Sequence, residues 1–175
     1  ELAAYHTQPR PEGAALVPPG ARRILDVGCA GGGLGRALKS RGDVTVVGIE
    51  GDPKVARVAA RSLDQVYRVD LDRLTELPFP DGWFDCLVCA DVLEHLKDPE
   101  RTLRALLRYL SPDGCLVLSI PNVRHTSVVL PLLVEGRWSY QAEGILDRTH
   151  LRFFTLTEVL ELLKTLGLRA DSLSG

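Results

Sequence analysis

The sequence predicts an α/β fold, a doubly wound and mostly parallel sheet with helices on both faces. Two observations carry that expectation. Short apolar runs alternate with helical patterns in a repeated strand–helix–strand order. The runs themselves, RILDV and CLVLSI among them, are apolar nearly throughout, as in strands covered on both faces. The 175 residues suit one domain, 1–175, and suffice to enclose a core.

Each element follows in turn. Residues 23–27 (RILDV) read as the first strand, and 33–40 as a helix opened by glycines. Residues 44–49 form the second strand, and the helix over 53–62 carries Pro53 in its first turn, where proline is tolerated. A short third strand is expected at 66–69, before the turn-rich Leu77-Pro78-Phe79-Pro80-Asp81-Gly82. The fourth strand covers 84–89, an amphipathic helix 99–110, and the fifth strand 115–120, with Ser111-Pro112-Asp113-Gly114 as the turn between them. Residues 156–166 make the last helix, and 168–172 a candidate sixth strand. Residues 1–17 are expected as a leading helix or arm over the sheet. Residues 121–150 stand outside the pattern as an insertion, and a loop of that length in a compact domain is usually functional.

Composition narrows the class. An apolar fraction of 45%, a charged fraction of 25% and a net charge of −2 describe an ordinary globular protein. The arginines are scattered among acids, which argues against nucleic acid as an obligate partner. No apolar stretch approaches the roughly 20 residues that span a bilayer, and the N-terminus has no signal-peptide pattern. The expectation is therefore no membrane and a reducing, cytoplasmic setting. The chain holds no Met, so its start is expected to be trimmed. Cys86-x-x-Cys89 has a redox or zinc spacing, but on a strand residues three apart face opposite sides. With Cys29 and Cys115 in a turn and an apolar run, buried inert thiols are expected.

The strongest local signal is the glycine turn after the first strand, Gly28-Cys29-Ala30-Gly31-Gly32-Gly33. Glycines there allow a tight turn and a close ligand approach, and in open α/β sheets ligands bind beyond the carboxyl ends of the strands. Gly28-x-Ala30-x-x-Gly33 also loosely fits the dinucleotide fingerprint. Glu50 ends the second strand, where a carboxylate accepts from both ribose hydroxyls. These residues point to an adenosine-containing cofactor and leave nicotinamide and sulfonium cofactors both open.

Taken together, LDVGCAGGG, VVGIEGDP, VDLDRLTELPFPDGWFDCLVCADVLEHLKDP and LLRYLSPDGCLVLSIPN resemble the class I, Rossmann-like methyltransferases dependent on S-adenosylmethionine. Within these they are similar to the small-molecule group that includes UbiE-like and MetW-like proteins. The likeness spans roughly residues 23–122, and LDRTHLRFFT, ending at Thr155, extends it. The resemblance implies that Asp26 and the turn Gly28, Cys29, Ala30 to Gly32 hold the methionine end. It implies Glu50, with Gly51 beside it, for the ribose, Asp70 and Leu71 for adenine, and Ala90 and Asp91 near the sulfonium. His95, in Leu93-Glu94-His95-Leu96, would support the cofactor. Ala30 departs from the family's usual second glycine, a small methyl that the loop is expected to tolerate. The family normally completes its sheet with an antiparallel strand, for which no room is found before Gly175.

Methyl transfer from a sulfonium needs in-line positioning and exclusion of water, and a hydroxyl acceptor also benefits from a base, most often His. His125 follows the fifth strand, and His150 lies in Asp147-Arg148-Thr149-His150, flanked by Trp138, Tyr140, Phe153 and Phe154. These two histidines are the candidates for the acceptor side, with 121–150 over the acceptor site. No metal site is expected, because the histidines are scattered and lack helical ligand spacing. The expected activity is methylation of oxygen, less favourably nitrogen, of a small polar acceptor, with a sugar or glycoside as a specific candidate. S-adenosylhomocysteine would be the product and a homodimer is compatible. A nicotinamide (NAD)-dependent oxidoreductase and a non-catalytic cofactor-binding module are the competing readings.

Overall fold

A computed structural model describes residues 11–174; residues 1–10 of the expected leading arm lie outside the described residues. Five strands, β1 (Arg23–Val27), β2 (Thr45–Ile49), β3 (Gln65–Tyr67), β4 (Phe84–Ala90) and β5 (Leu110–Ser119), form one sheet in the order β3-β2-β1-β4-β5. Every neighbouring pair is parallel. The chain winds outward from β1 in both directions, so a crevice opens at the carboxyl ends of β1 and β4.

The helices are α1 (Pro11–Leu16), α2 (Gly33–Lys39), α3 (Pro53–Ala59), α4 (Pro99–Leu107), α5 (Thr126–Glu135) and α6 (Leu156–Thr165). Strand residues alternate between two apolar layers. Ile24, Val46, Cys86 and Val88 pack with Leu34 and Leu38 of α2, Ala59 of α3 and Ala14 of α1. Leu25, Val27, Val47, Ile49, Leu87 and Cys89 pack with Leu103 and Leu106 of α4, and Leu162 of α6 rests on the same layer. The sheet is thus covered on both faces, as its continuous apolar runs require. Cys86 and Cys89 lie in different layers, fully buried.

Local chemistry sets where helices begin. Asp52 caps α3, accepting from the Lys54 and Val55 N–H groups ahead of Pro53. Asp98 does the same for α4 ahead of Pro99. Thr155 and Glu158 form a reciprocal capping box at α6.

Four expectations about elements are corrected. The fifth strand begins at Leu110, because Leu110 pairs with Phe84 and the register then shifts between Phe84 and Cys86. Ser111 to Gly114 is therefore an irregular stretch within an edge strand, where Pro112 removes no needed ladder donor. α4 ends at Leu107 accordingly. β3 sits at 65–67, earlier and shorter than expected. Residues 168–172 form no strand: the Leu168 N–H closes α6 on Leu163 O, with Gly167 at φ +74°, and Arg169 pairs locally with Asp171. The 121–150 insertion contains α5, which buries Val128 and exposes Leu130, Leu133 and Val134.

Candidate active site

The loop after β1 is shaped by three residues with left-handed backbone, Gly28 (φ +66°), Ala30 (φ +46°) and Gly32 (φ +77°). A Cβ on Gly28 would lie 2.7 Å from Val92 Cγ2, so the loops after β1 and β4 meet at bare backbone. The Cys29 N–H donates to Ile49 O at 2.9 Å, tying the loop to the end of β2. Glu50 completes the link: its carboxylate accepts from the Ala30 N–H at 3.1 Å and the Asp52 N–H at 2.8 Å. A carboxylate offers about four acceptor positions, so capacity remains for ligand hydroxyls.

Asp26 is 3% exposed at the end of β1, between Gly48 and Val88 of the neighbouring strands. Its charge is felt locally. Burial, helped by Asp26, pushes the Cys89 thiol up to about 12, and burial with Asp26 and Glu50 also raises Cys29. Neither thiol is a thiolate at neutral pH. Gly51 lies beside the chain after β3, its Cα side facing Val69 O. Asp70 opens the short turn Leu71–Arg73, accepting from the Asp72 N–H, and its carboxylate is exposed. Asp91, after Ala90 at the end of β4, holds φ +55°. Ser119 fixes it from β5: Asp91 N–H donates to Ser119 O at 2.9 Å, and Ser119 Oγ to Asp91 Oδ1 at 3.0 Å. All these residues therefore line the carboxyl edge of the sheet.

The insertion folds back onto the turn Leu93–His95. Leu151 and Arg152 N–H groups both donate to Glu94 O, at 2.7 and 3.0 Å, and Arg152 Nη2 donates to Lys97 O. Val123 N–H donates to Phe154 O, closing the far end of the segment onto its start. The result brings His150 against His95, with ring centroids 4.8 Å apart, and puts His150 Nε2 4.0 Å from Glu94 Oε1. Glu94 is 1% exposed and the His150 side chain 7%. His150 Nδ1 donates to Ile145 O at 2.9 Å, and His95 Nδ1 to Thr149 O at 3.3 Å. Burial, then the neighbouring His150, hold His95 below the usual imidazole range. Phe153 lies between this cluster and Trp138 and Tyr140, at centroid distances of 6.4, 5.1 and 6.2 Å.

His125 takes a different place. Its ring caps α5, with Nδ1 2.8 Å from Ser127 Oγ and accepting from the Ser127 N–H. Glu94 joins the cluster of His95 and His150 although the sequence did not single it out. The available signal was its position beside His95, but a lone acid before a histidine is common on solvated turns. Among the described residues, Glu94, His95 and His150 each offer one ligand atom within 4.8 Å of the others. These residues show no ligand spacing in the sequence because His150 is distant from His95 along the chain.

The crevice fits a cofactor that is a zwitterionic amino acid joined through a sulfonium to adenosine. The Cβ positions of Gly28 and Gly32 are closed by Val92 and Ala59, so these glycines allow the loop to pack tightly, while the acidic side chains Asp26, Glu50 and Asp91 lie along one edge, a charge pattern that suits a cofactor carrying ammonium, hydroxyl and sulfonium groups.

Comparison with known proteins agrees. A family described as a methyltransferase domain matches residues 3–173. The chain is 35% identical over 171 residues to a ubiquinone biosynthesis O-methyltransferase of Xanthomonas campestris pv. campestris (strain B100), covering 93% of this chain and 68% of that protein. An S-adenosylmethionine-dependent methyltransferase from Mesorhizobium loti superposes with a TM-score of 0.64 at 26% identity, over 90% of this chain and 79% of that one. A counterpart from Archaeoglobus fulgidus shares the fold, with a TM-score of 0.66 at 20% identity, over 86% and 62% of the two chains. The nicotinamide reading is not supported by these matches. The chain belongs to the methyltransferase domain family and is an enzyme of the S-adenosylmethionine-dependent class.

Proposed function

We propose that the enzyme methylates a hydroxyl oxygen of a small polar acceptor seated between the cofactor crevice and the Trp138–Tyr140–Phe153 cluster. The observation that carries this reading is the junction of the Leu93–His95 turn with His150. It places imidazole and carboxylate groups between the end of β4 and an aromatic wall. Flat aromatic walls stack on sugar rings and on phenolic rings alike. Oxygen is favoured over nitrogen because the relatives matched over most of this chain are named O-methyltransferases. A sugar or glycoside and a phenol are the two acceptor classes to compare.

In this reading Asp26 and the backbone from Gly28 to Gly32 bind the methionine end. Glu50 takes the ribose, with Gly51 leaving room beside it. Asp70 and Leu71 receive adenine, while Ala90 and Asp91 lie near the sulfonium and His95 supports the cofactor side. The cofactor supplies an already activated methyl group. The chain's own residues hold the two reactants in line and keep water out, which effective-molarity arguments value at roughly 7–11 kcal/mol for well-aligned reactants. His150, fixed by Ile145 O, faces the acceptor oxygen, and His125 shapes the entrance through α5.

Isothermal titration with S-adenosylmethionine, S-adenosylhomocysteine and NAD tests the cofactor half. One-site binding of the first two and none of NAD is expected, and Glu50→Ala should weaken both by at least tenfold through loss of charged hydrogen bonds. S-adenosylhomocysteine release across a panel of sugars, glycosides and phenols tests the acceptor half. Turnover only on amines would refute the oxygen assignment.

A further inference from the structure

We infer that Cys86 and Cys115 form a reversible dithiol–disulfide site, oxidised by peroxide, that pins the edge strand β5 to β4. The inference goes beyond methyl transfer and does not rest on it. Three observations carry it. First, the two residues are register partners on neighbouring parallel strands, and their Sγ atoms stand 3.5 Å apart. Neighbouring strands run about 4.8 Å apart, inside the Cα separation of about 4.4–6.8 Å that a disulfide accepts. Closing to a bond of about 2.05 Å then takes an inward turn of the two side chains, with the backbone register kept.

Second, the pair is asymmetric. Cys86 is fully buried in the layer with Val88 and Leu38, whereas Cys115 is only partly buried, on the strand at the edge of the sheet. A small oxidant therefore meets Cys115 first. Donation from the Cys86 thiol outweighs burial and brings Cys115 down to about 7, so a large share of it is thiolate at neutral pH. The same contact, then burial, pushes Cys86 up, so Cys86 keeps its proton and stands as the resolving thiol. Third, the remaining two cysteines are out of reach. Cys89 packs in the opposite layer, and Cys29 lies against Gly48 of β2, on the far side of β1 from β4. Inert burial thus describes Cys29 and Cys89, and the expectation of an inert thiol at Cys115 is corrected.

The chemistry needs one peroxide. The Cys115 thiolate attacks a peroxide oxygen, the oxygen–oxygen bond breaks, and hydroxide leaves with Cys115 as a sulfenic acid. The Cys86 sulfur then attacks the Cys115 sulfur. The sulfur–sulfur bond forms as the sulfur–oxygen bond breaks, and the hydroxyl departs as water with the Cys86 proton. The two sulfurs give up two electrons, which reduce the peroxide to hydroxide and water. A small dithiol reverses the bond by exchange.

The test exposes reduced protein to a small molar excess of hydrogen peroxide, followed by thiol counting after unfolding and mass spectrometry without reductant. Wild type should lose the thiols of Cys86 and Cys115 out of its four cysteines, become lighter by two hydrogens, and regain both thiols in dithiothreitol. Cross-linking β4 to β5 closes a long loop, so the oxidised form should melt about 3 °C or more higher, and dithiothreitol should lower it again. Cys86→Ala and Cys115→Ala should each form no disulfide, while Cys89→Ala forms it as wild type does. Should Cys86→Ala fail to fold, Cys115→Ala, at the sheet edge, supplies the variant. Wild type that forms no disulfide, a bond that uses Cys29 or Cys89, or a link between two chains would overturn the proposal. An oxidised form that melts no higher would overturn the pinning of β5.

Discussion

Ala30 sits at φ +46° in the loop after β1, with its N–H committed to Glu50. A side chain in that left-handed region costs about 1 kcal/mol, part of which glycine's greater freedom in the unfolded chain would cancel. Ala30→Gly is therefore expected to stabilise by about 0.5 kcal/mol, seen as a melting temperature about 1–2 °C higher in calorimetry. A lower melting temperature would show that the methyl packs favourably. Asp91 occupies the same region at φ +55°, but there the Ser119 hydroxyl and carbonyl hold it, and Asp tolerates the conformation better than most residues. At both positions the backbone is bent where a ligand must approach, as strained residues at functional sites often are.

At the scale of elements, Tyr109 joins the end of α4 to the irregular segment before β4. Its ring is buried, its hydroxyl accepts from the Leu77 N–H at 2.6 Å, and Phe79 packs on Phe84 at 5.0 Å nearby. Tyr109→Phe keeps the ring but strands the Leu77 N–H, at a cost of about 1–3 kcal/mol. The urea midpoint should fall while the denaturant slope holds; an unchanged midpoint would mean that the segment finds another acceptor. Such a link is invisible in sequence because Leu77 and Tyr109 belong to different apolar patterns. The helix starts were legible instead, since Asp52-Pro53, Asp98-Pro99 and Thr155 with Glu158 act within a few residues.

For the whole molecule, two carboxylates anchor the outer ends of strands. Burial alone would raise both carboxyls, and hydrogen bonding outweighs it. Asp85 accepts from the Arg23 guanidinium and from the Arg22 and Arg23 N–H groups, and stays below its ordinary value. Asp64 accepts from Lys39 and the Val46 N–H, and is lowered likewise. A depressed carboxyl contributes stability that is present above the unfolded value of about 3.9 and lost as pH falls through the folded one. Urea midpoints should thus be level from pH 7 to about 5 and fall below about 4. Asp85→Asn should flatten that acid limb, and a limb of undiminished steepness would assign it to other groups.

The sequence by itself determined the parallel sheet, the order of strands and helices and the carboxyl-edge loops. Apolar runs, glycine turns and caps are local, and a covered strand must read as continuously apolar. Only the tertiary structure decided where His95, His125 and His150 sit and what they touch. His125 turned to its own helix as a cap, whereas His150 crossed to Glu94 because backbone bonds from Leu151 and Arg152 fold the insertion onto the turn after β4. Residues distant along the chain meet through hydrogen bonds that leave no period or spacing in the sequence. For the same reason the strand expected at 168–172 does not form: a strand exists only where a neighbour accepts its ladder, and here the backbone closes α6 instead.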